Sequence, residues 1–209
     1  MKKNIITISR EFGSGGRTIG KTVAERLGVP CYDKELVKQV ALESGFDPKF
    51  IEERGESAPG KNRFAYAFLG RGTPGVMGGM SASDFLWTIQ YRVIQDLAEK
   101  GPCVIVGRCS DYVLGERSNC LKVFIYADLA DRVTRCAEEY HIETANMTER
   151  VKEIDRGRAN YYNYYTGHNW GEMRQYDLTL NSSVTGVDGA VELIATLVRL
   201  WEKRDQENR

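Results

Sequence analysis

The sequence predicts an α/β domain in which a parallel sheet is covered by helices on both faces. Three observations carry this prediction. Short runs rich in β-branched residues (Ile5–Ser9, Cys103–Val106, Leu121–Tyr126) alternate with longer stretches of helical periodicity. These runs are apolar nearly throughout rather than at every second residue, as expected of strands buried on both faces. The chain has 209 residues and no internal repeat, which fits one domain spanning 1–209.

The elements follow in order. Ile5–Ser9 is the opening strand, and the segment REFGSGG after it runs into a helix over Arg17–Leu27. There Ile19, Val23, Ala24 and Leu27 share one face, and Gly28 is the stop. Asp33 is placed to cap a second helix reaching Ser44, and Asp47-Pro48 opens a third, because proline is tolerated in a first helical turn. Residues Glu56–Ser83 change texture, with six glycines and two prolines, and are expected to form a mobile excursion with one helical turn near Phe64–Leu69. Asp84–Lys100 is amphipathic and ends at Gly101. Helices are expected over Asp128–Tyr140 and Thr148–Tyr161, then a strand at Tyr176–Asn181 and a closing helix over Val187–Arg204.

Composition narrows the partners. Lysine plus arginine (29) balances aspartate plus glutamate (29), which speaks against a nucleic-acid polymer or a membrane surface as ligand. The five cysteines are scattered and never spaced as CxxC, so reduced thiols and a cytoplasmic location are expected, without a zinc site. No apolar run approaches the ~20 residues that span a bilayer. The oligomeric state is left open, since Phe85–Leu97 could serve a core or a dimer face.

Strand, glycine-rich loop, helix is an arrangement that binds phosphate, because glycines let the backbone wrap an anion at the positive end of a helix. The loop here is Arg10-Glu11-Phe12-Gly13-Ser14-Gly15-Gly16. The pattern GxxxxGK[ST] is matched literally at Gly15–Thr22, but this begins six residues beyond Ser9 and sets Lys21 inside a helix. A second register keeps Gly13, Ser14, Gly15 and Gly16 in the loop and puts Arg17 and Thr18 where lysine and serine or threonine are expected. Arginine keeps the charge but not the compact point-charge geometry of lysine. A tight turn whose glycines serve only close packing is the alternative reading.

These segments resemble the cytidylate kinase-like family. The likeness rests on ISREFGSGG at Ile8–Gly16, CYDKELV at Cys31–Val37 and VIVGR at Val104–Arg108. It continues through KVFIYADLADRVTR at Lys122–Arg135, RANYYNYYTG at Arg158–Gly167 and YDLTLNSS at Tyr176–Ser183. The resemblance implies a three-layer P-loop kinase fold with a monophosphate-binding segment on the acceptor side and a lid at about 148–170. It also implies ATP-dependent transfer of a phosphoryl group to a nucleoside monophosphate such as CMP. Compared without gaps, the family pattern GPSGAGKST falls on Arg10–Thr18 and its lysine lands on Gly16. A nucleotide-binding module without kinase activity is therefore the second reading.

Phosphoryl transfer depends on positioning, Mg²⁺ and cations around the migrating charge. Thr18 is the expected Mg²⁺ ligand beside bound ATP. By the resemblance, Asp33 contacts the acceptor and Arg108, at the end of a strand, grips its phosphate. Arg156 and Arg158 are lid arginines that, with Arg17, make up the expected catalytic cations. The charge alternation of Glu149–Arg158 also fits a solvated helix face. Tyr161, Tyr162, Tyr164, Tyr165 and Trp170 are expected to pack the lid.

Overall fold

The computed structural model describes residues 5–54, 56 and 81–207. Five strands form one parallel sheet: β1 (Ile5–Arg10), β2 (Cys31–Tyr32), β3 (Cys103–Val106), β4 (Cys120–Tyr126) and β5 (Leu178–Asn181), in spatial order β2-β3-β1-β4-β5. β1 is central, with Ile8 beside Val106 on one flank and Val123 on the other.

Alternation along the buried strands feeds two cores. Ile5, Cys103 and Ile105 face helices α2 (Lys34–Ser44), α3 (Pro48–Arg54) and α4 (Ala82–Glu99), meeting Leu36, Val40, Ile51, Val93 and Ile94. Ile6, Ile8, Val104 and Val106 face α1 (Gly16–Leu27) and the closing helix, meeting Ile19, Val23, Ala24 and Ile194. Each such side chain removed from water contributes about 1.5–3 kcal/mol, so both faces of β1 are needed to hold the sheet.

Among the described residues the remaining helices are α5 (Ser110–Val113), α6 (Leu129–Glu138), α7 (Met147–Thr166) and α8 (Ser182–Glu207), with a 3₁₀ turn at Met173–Gln175. α4 starts earlier than periodicity suggested because Ser81 caps it, its Oγ accepting from the Asp84 N–H at 3.1 Å. Asn146 caps α7 in the same way, and that helix runs through the tyrosine-rich stretch to Gly167. α8 is interrupted at Gly186, whose φ of 63° and ψ of 178° are not helical; the amphipathic part beginning at Val187 is the portion that periodicity finds.

Two strands differ from the sequence expectation. β2 is two residues long and was not anticipated, since so short a strand leaves no periodicity. The final strand begins at Leu178 rather than Tyr176, because the 3₁₀ turn ends immediately before it. The helical turn expected near Phe64–Leu69 lies outside the described residues, as does the excursion apart from Glu56 and Ser81–Ser83.

The aromatic group packs rather than lining an open face. Trp87 of α4 stacks on Tyr165 at 4.6 Å and meets Tyr161 edge-on, while Tyr164 is exposed. Among the described residues no helix is long and apolar enough to cross a membrane, and no group of three or more His, Cys, Asp or Glu could hold a metal. All five cysteines are free.

Candidate active site

The glycine loop leaves the carboxyl end of β1 and enters α1 with Gly15 as its N-cap. Gly13 and Gly15 both have φ near +78°, a conformation that costs a side chain about 1–3 kcal/mol. Ser14 is turned into the protein: its N–H and its Oγ both donate to the Glu11 carbonyl, and the Ser14 carbonyl accepts from Ser182. The Ser14 amide is therefore paired within the protein, which corrects the expectation that the whole Gly13–Gly16 backbone is available to wrap an anion. The first intrahelical bond runs from the Ile19 N–H to the Gly15 carbonyl, so the N–H groups of Gly16, Arg17 and Thr18 have no acceptor within the helix.

The loop is held from outside by residues of α6 and α7. Asp155 accepts from the Phe12 N–H at 2.8 Å and from Arg132 at 2.5 Å. Glu11 accepts from the Ala127 N–H and pairs with Arg132, and Arg135 donates to the Gly13 carbonyl at 2.7 Å. Burial raises the Glu11 carboxyl above its ordinary value, and Arg132 offsets only part of that rise. A Cβ on Gly13 would lie 2.7 Å from the Arg132 carbonyl and 2.9 Å from the Cys136 sulfur. Gly13→Ala is accordingly expected to lower stability by about 1–3 kcal/mol, read as a fall in the thermal unfolding midpoint. An unchanged midpoint would mean that the loop is not pinned to α6 as described.

Beyond the loop lies a cation cluster. Glu56 Oε1 accepts from Arg10 Nη1 at 2.7 Å and from the Arg108 N–H at 2.9 Å, and its Oε2 accepts from Arg158 Nε at 3.1 Å. The Arg108 guanidinium donates to the Ile51 carbonyl and to Gln90, while Arg158 also donates to the Arg10 carbonyl. The four side chains are between 9% and 17% exposed. Burial alone would raise the Glu56 carboxyl, but Arg10, then Arg158 and Arg108, outweigh it and hold the group well below the usual carboxylate range. Burial, reinforced by the Arg10 charge, pushes Arg158 down to about 10. Arg158 also reaches Asp155 at 4.0 Å, but Asp155 is shared with Arg132, so the cluster keeps an excess of positive charge that a phosphate dianion would help neutralise.

Two clefts meet here. One, of about 410 Å³, lies over the loop and is lined by Gly13, Gly15, Gly16, Arg17, Tyr140 and Ile142 among others. The other, of about 800 Å³, reaches Asp33, Glu56, Arg108 and the α7 residues Arg150, Arg156 and Asn160. Arg10, Phe12, Arg17, Ile142 and Arg158 line both.

The profile of the cytidylate kinase-like family matches residues 5–184 of this chain. The chain belongs to the cytidylate kinase-like family. Among curated relatives, it is similar to the cytidylate kinase of Archaeoglobus fulgidus, with 27% identity over 209 residues covering 97% of this chain and 99% of that protein. Among solved structures, it is similar to an uncharacterized protein from Eubacterium ventriosum, with a TM-score of 0.69, 27% identity and coverage of 93% and 98%. The shikimate kinase of Bacteroides thetaiotaomicron shares the fold at 13% identity, with a TM-score of 0.57 and coverage of 93% and 98%. The fold is thus that of the P-loop kinases, and the family supports a nucleotide-kinase type of function.

Within this cytidylate kinase-like chain the predicted residues are distributed unevenly. Arg108 and Arg158 enter the cluster. Asp33 stands at the N-terminus of α2 but makes no capping hydrogen bond; its carboxylate pairs with Arg17 Nε at 2.6 Å. Arg17 is 55% exposed and lines both clefts, with its guanidinium tied to Asp33 on the side of the larger one. Thr18 is exposed on the first turn of α1, and Lys21 sits on the helix flank opposite Glu25, away from the loop mouth. Arg156 lines the larger cleft but is exposed, whereas Asp155 and Arg158 turn inward, so α7 is solvated on one side only. Sequence reasoning missed Arg10, Glu11, Glu56 and Asp155 as site residues, while Arg132 and Arg135, expected only to assist the lid arginines, hold the loop instead. Arg10 and Glu11 lay inside the loop motif and could have been found there. Glu56 sits at the head of an aperiodic stretch and gave no signal.

Proposed function

We propose that this protein transfers the γ-phosphoryl group of ATP to a nucleoside monophosphate of the CMP class or to a related small phosphorylated acceptor. The observation that carries the reading is the convergence of Arg10, Arg108 and Arg158 where the loop cleft and the larger cleft meet. ATP phosphates would lie along Gly13–Thr18, against the first-turn amides of α1 and the Arg17 side chain. The acceptor would occupy the larger cleft between Asp33 and Arg108. A phosphate oxygen of the acceptor attacks the γ-phosphorus, the bond to the ADP oxygen breaks, and that oxygen leaves with the electron pair.

Charge concentrated on the two phosphates is what the arginines oppose. Preorganised cations in a partly desolvated site stabilise such charge far more than they would in water. Mg²⁺ would be held chiefly by the phosphates and water, with the exposed Thr18 hydroxyl as its candidate protein ligand. Bound there, it would neutralise part of the triphosphate charge. Arg156 and Arg158 on α7 would cover the phosphates and keep water from competing as acceptor.

The test is a panel of nucleoside monophosphates and small phosphorylated metabolites with ATP, scored by ADP release and product mass. Turnover of at least one acceptor is expected, reduced about 10²-fold or more in Arg108→Ala. Turnover of none above the Arg108→Ala background would remove the reading. ATP binding without transfer would favour a nucleotide-binding module, a reading motivated by the missing loop lysine.

A further inference from the structure

Gly16 is where the ungapped family pattern carries its lysine, and the space a side chain would need there is already taken. A Cβ on Gly16 would lie 2.6 Å from Cβ and 3.0 Å from Cγ of Arg10. At 2.6 Å the two side chains cannot both keep these positions and one must be displaced, so this position and Arg10 compete for one volume. The far end of Arg10 repeats the argument. A Cβ on Gly107, at the carboxyl end of β3, would run into Arg10 Nη1 and the Glu56 Oε1 bound to it, and lie 2.6 Å from Arg10 Cζ. Two glycines far apart in sequence thus form a cradle for one arginine, Gly16 for its stem and Gly107 for its head.

We propose that Arg10, delivered by the last residue of β1 rather than by α1, supplies the phosphate-binding cation that this glycine loop lacks. The inference rests on the phosphotransferase reading and names the residue that makes it workable without lysine. Arg10 begins beside the helix start, lines the cleft over the loop, and ends next to Arg108 and Arg158 in the larger cleft. A group so placed reaches an anion shared between donor and acceptor. Its planar fork presents paired N–H donors that can engage two phosphate oxygens in a bidentate geometry, where a lysine acts as a point charge. Glu56 holds the guanidinium in place, and because Arg108 and Arg158 share that carboxylate, Arg10 retains charge to offer an incoming phosphate.

The test moves the cation back. Arg10→Gly, Gly16→Lys, the double variant Arg10→Gly/Gly16→Lys and Arg10→Lys are compared with the intact protein. The readouts are tripolyphosphate and ATP affinity by calorimetry, kcat and KM where turnover occurs, and the thermal midpoint. Arg10→Gly is expected to weaken tripolyphosphate binding about 10–100-fold, the cost of losing a charge-assisted hydrogen bond. Gly16→Lys alone is expected to be destabilised and to gain nothing. The double variant should recover at least about a tenfold part of the affinity, because the lysine enters the space the arginine vacated. Wild-type affinity in Arg10→Gly would overturn the proposal, and so would a folded double variant no better than Arg10→Gly.

Should the double variant not fold, Arg10→Lys against Arg10→Met decides. Salt-dependent binding kept by lysine and lost by methionine supports the proposal, and equal binding overturns it. A protein that binds tripolyphosphate through Arg10 yet phosphorylates no acceptor would sink the kinase reading while upholding this one. An intact protein that binds neither ATP nor tripolyphosphate would remove both.

Discussion

Glu56→Ala is expected to lower stability by about 3 kcal/mol, because it strips the shared counter-charge from three guanidiniums that have little access to water. This is the low end for breaking a buried ion pair, since the adjoining clefts let water reach the cluster. For a chain of this size the thermal midpoint would fall by about 6–12 °C. Added phosphate or sulfate should restore part of the loss and should stabilise the variant more than the intact protein, since the vacated carboxylate site is itself an anion site. The pH dependence has a definite sign. Glu56 is depressed in the folded state, so its contribution is fully present above its unfolded value near 4.5 and is lost as pH falls through the lower folded value. The acid limb of the stability profile should therefore flatten in the variant. An unchanged midpoint together with an unchanged phosphate response would contradict the cluster as described.

Arg158→Ala is expected to reduce kcat about 10²–10³-fold on whichever acceptor the panel identifies, with a smaller change in KM. The side chain lines both clefts, pairs with Glu56, donates to the Arg10 carbonyl and lies over the Phe12 ring at 5.6 Å. Its removal therefore takes a cation from the junction and loosens the loop at once. Arg158→Lys should recover little, because a single ammonium cannot replace a fork that bonds in two directions. Arg156→Ala should lose less, since that residue is exposed at the rim of the larger cleft. Equal losses for the two arginines, measured by steady-state kinetics, would show that α7 acts as a generic basic patch. Retained turnover in Arg158→Ala would remove the residue from the site.

These expectations turn on contacts that differ in how visible they were beforehand. The strands announced themselves as Ile5–Ser9, Cys103–Val106 and Leu121–Tyr126, each within a residue of its observed bounds, because a strand buried on both faces must be apolar along its length. α1, α4 and the main part of α8 did so because one face meets the sheet at intervals of three and four residues. Arg108 was legible from its place at the end of a strand. Asp33 was expected to cap α2, but its carboxylate pairs with Arg17 at 2.6 Å and makes no capping hydrogen bond, and nothing local to Asp33 reveals where Arg17 will lean.

The chain's own order of residues decided the alternation of strands and helices, the family, and the glycine loop at the mouth of the central strand. Each of these depends on patterns a few residues long. Tertiary structure alone decided that Arg10 should run from Gly16 to Gly107, and that Glu56 should gather Arg10, Arg108 and Arg158 from positions 46, 52 and 102 residues away. The physical reason is that electrostatic pairing and steric exclusion depend on distance in space. Only the packed sheet, with α7 turned against the loop, brings these groups within reach of one another.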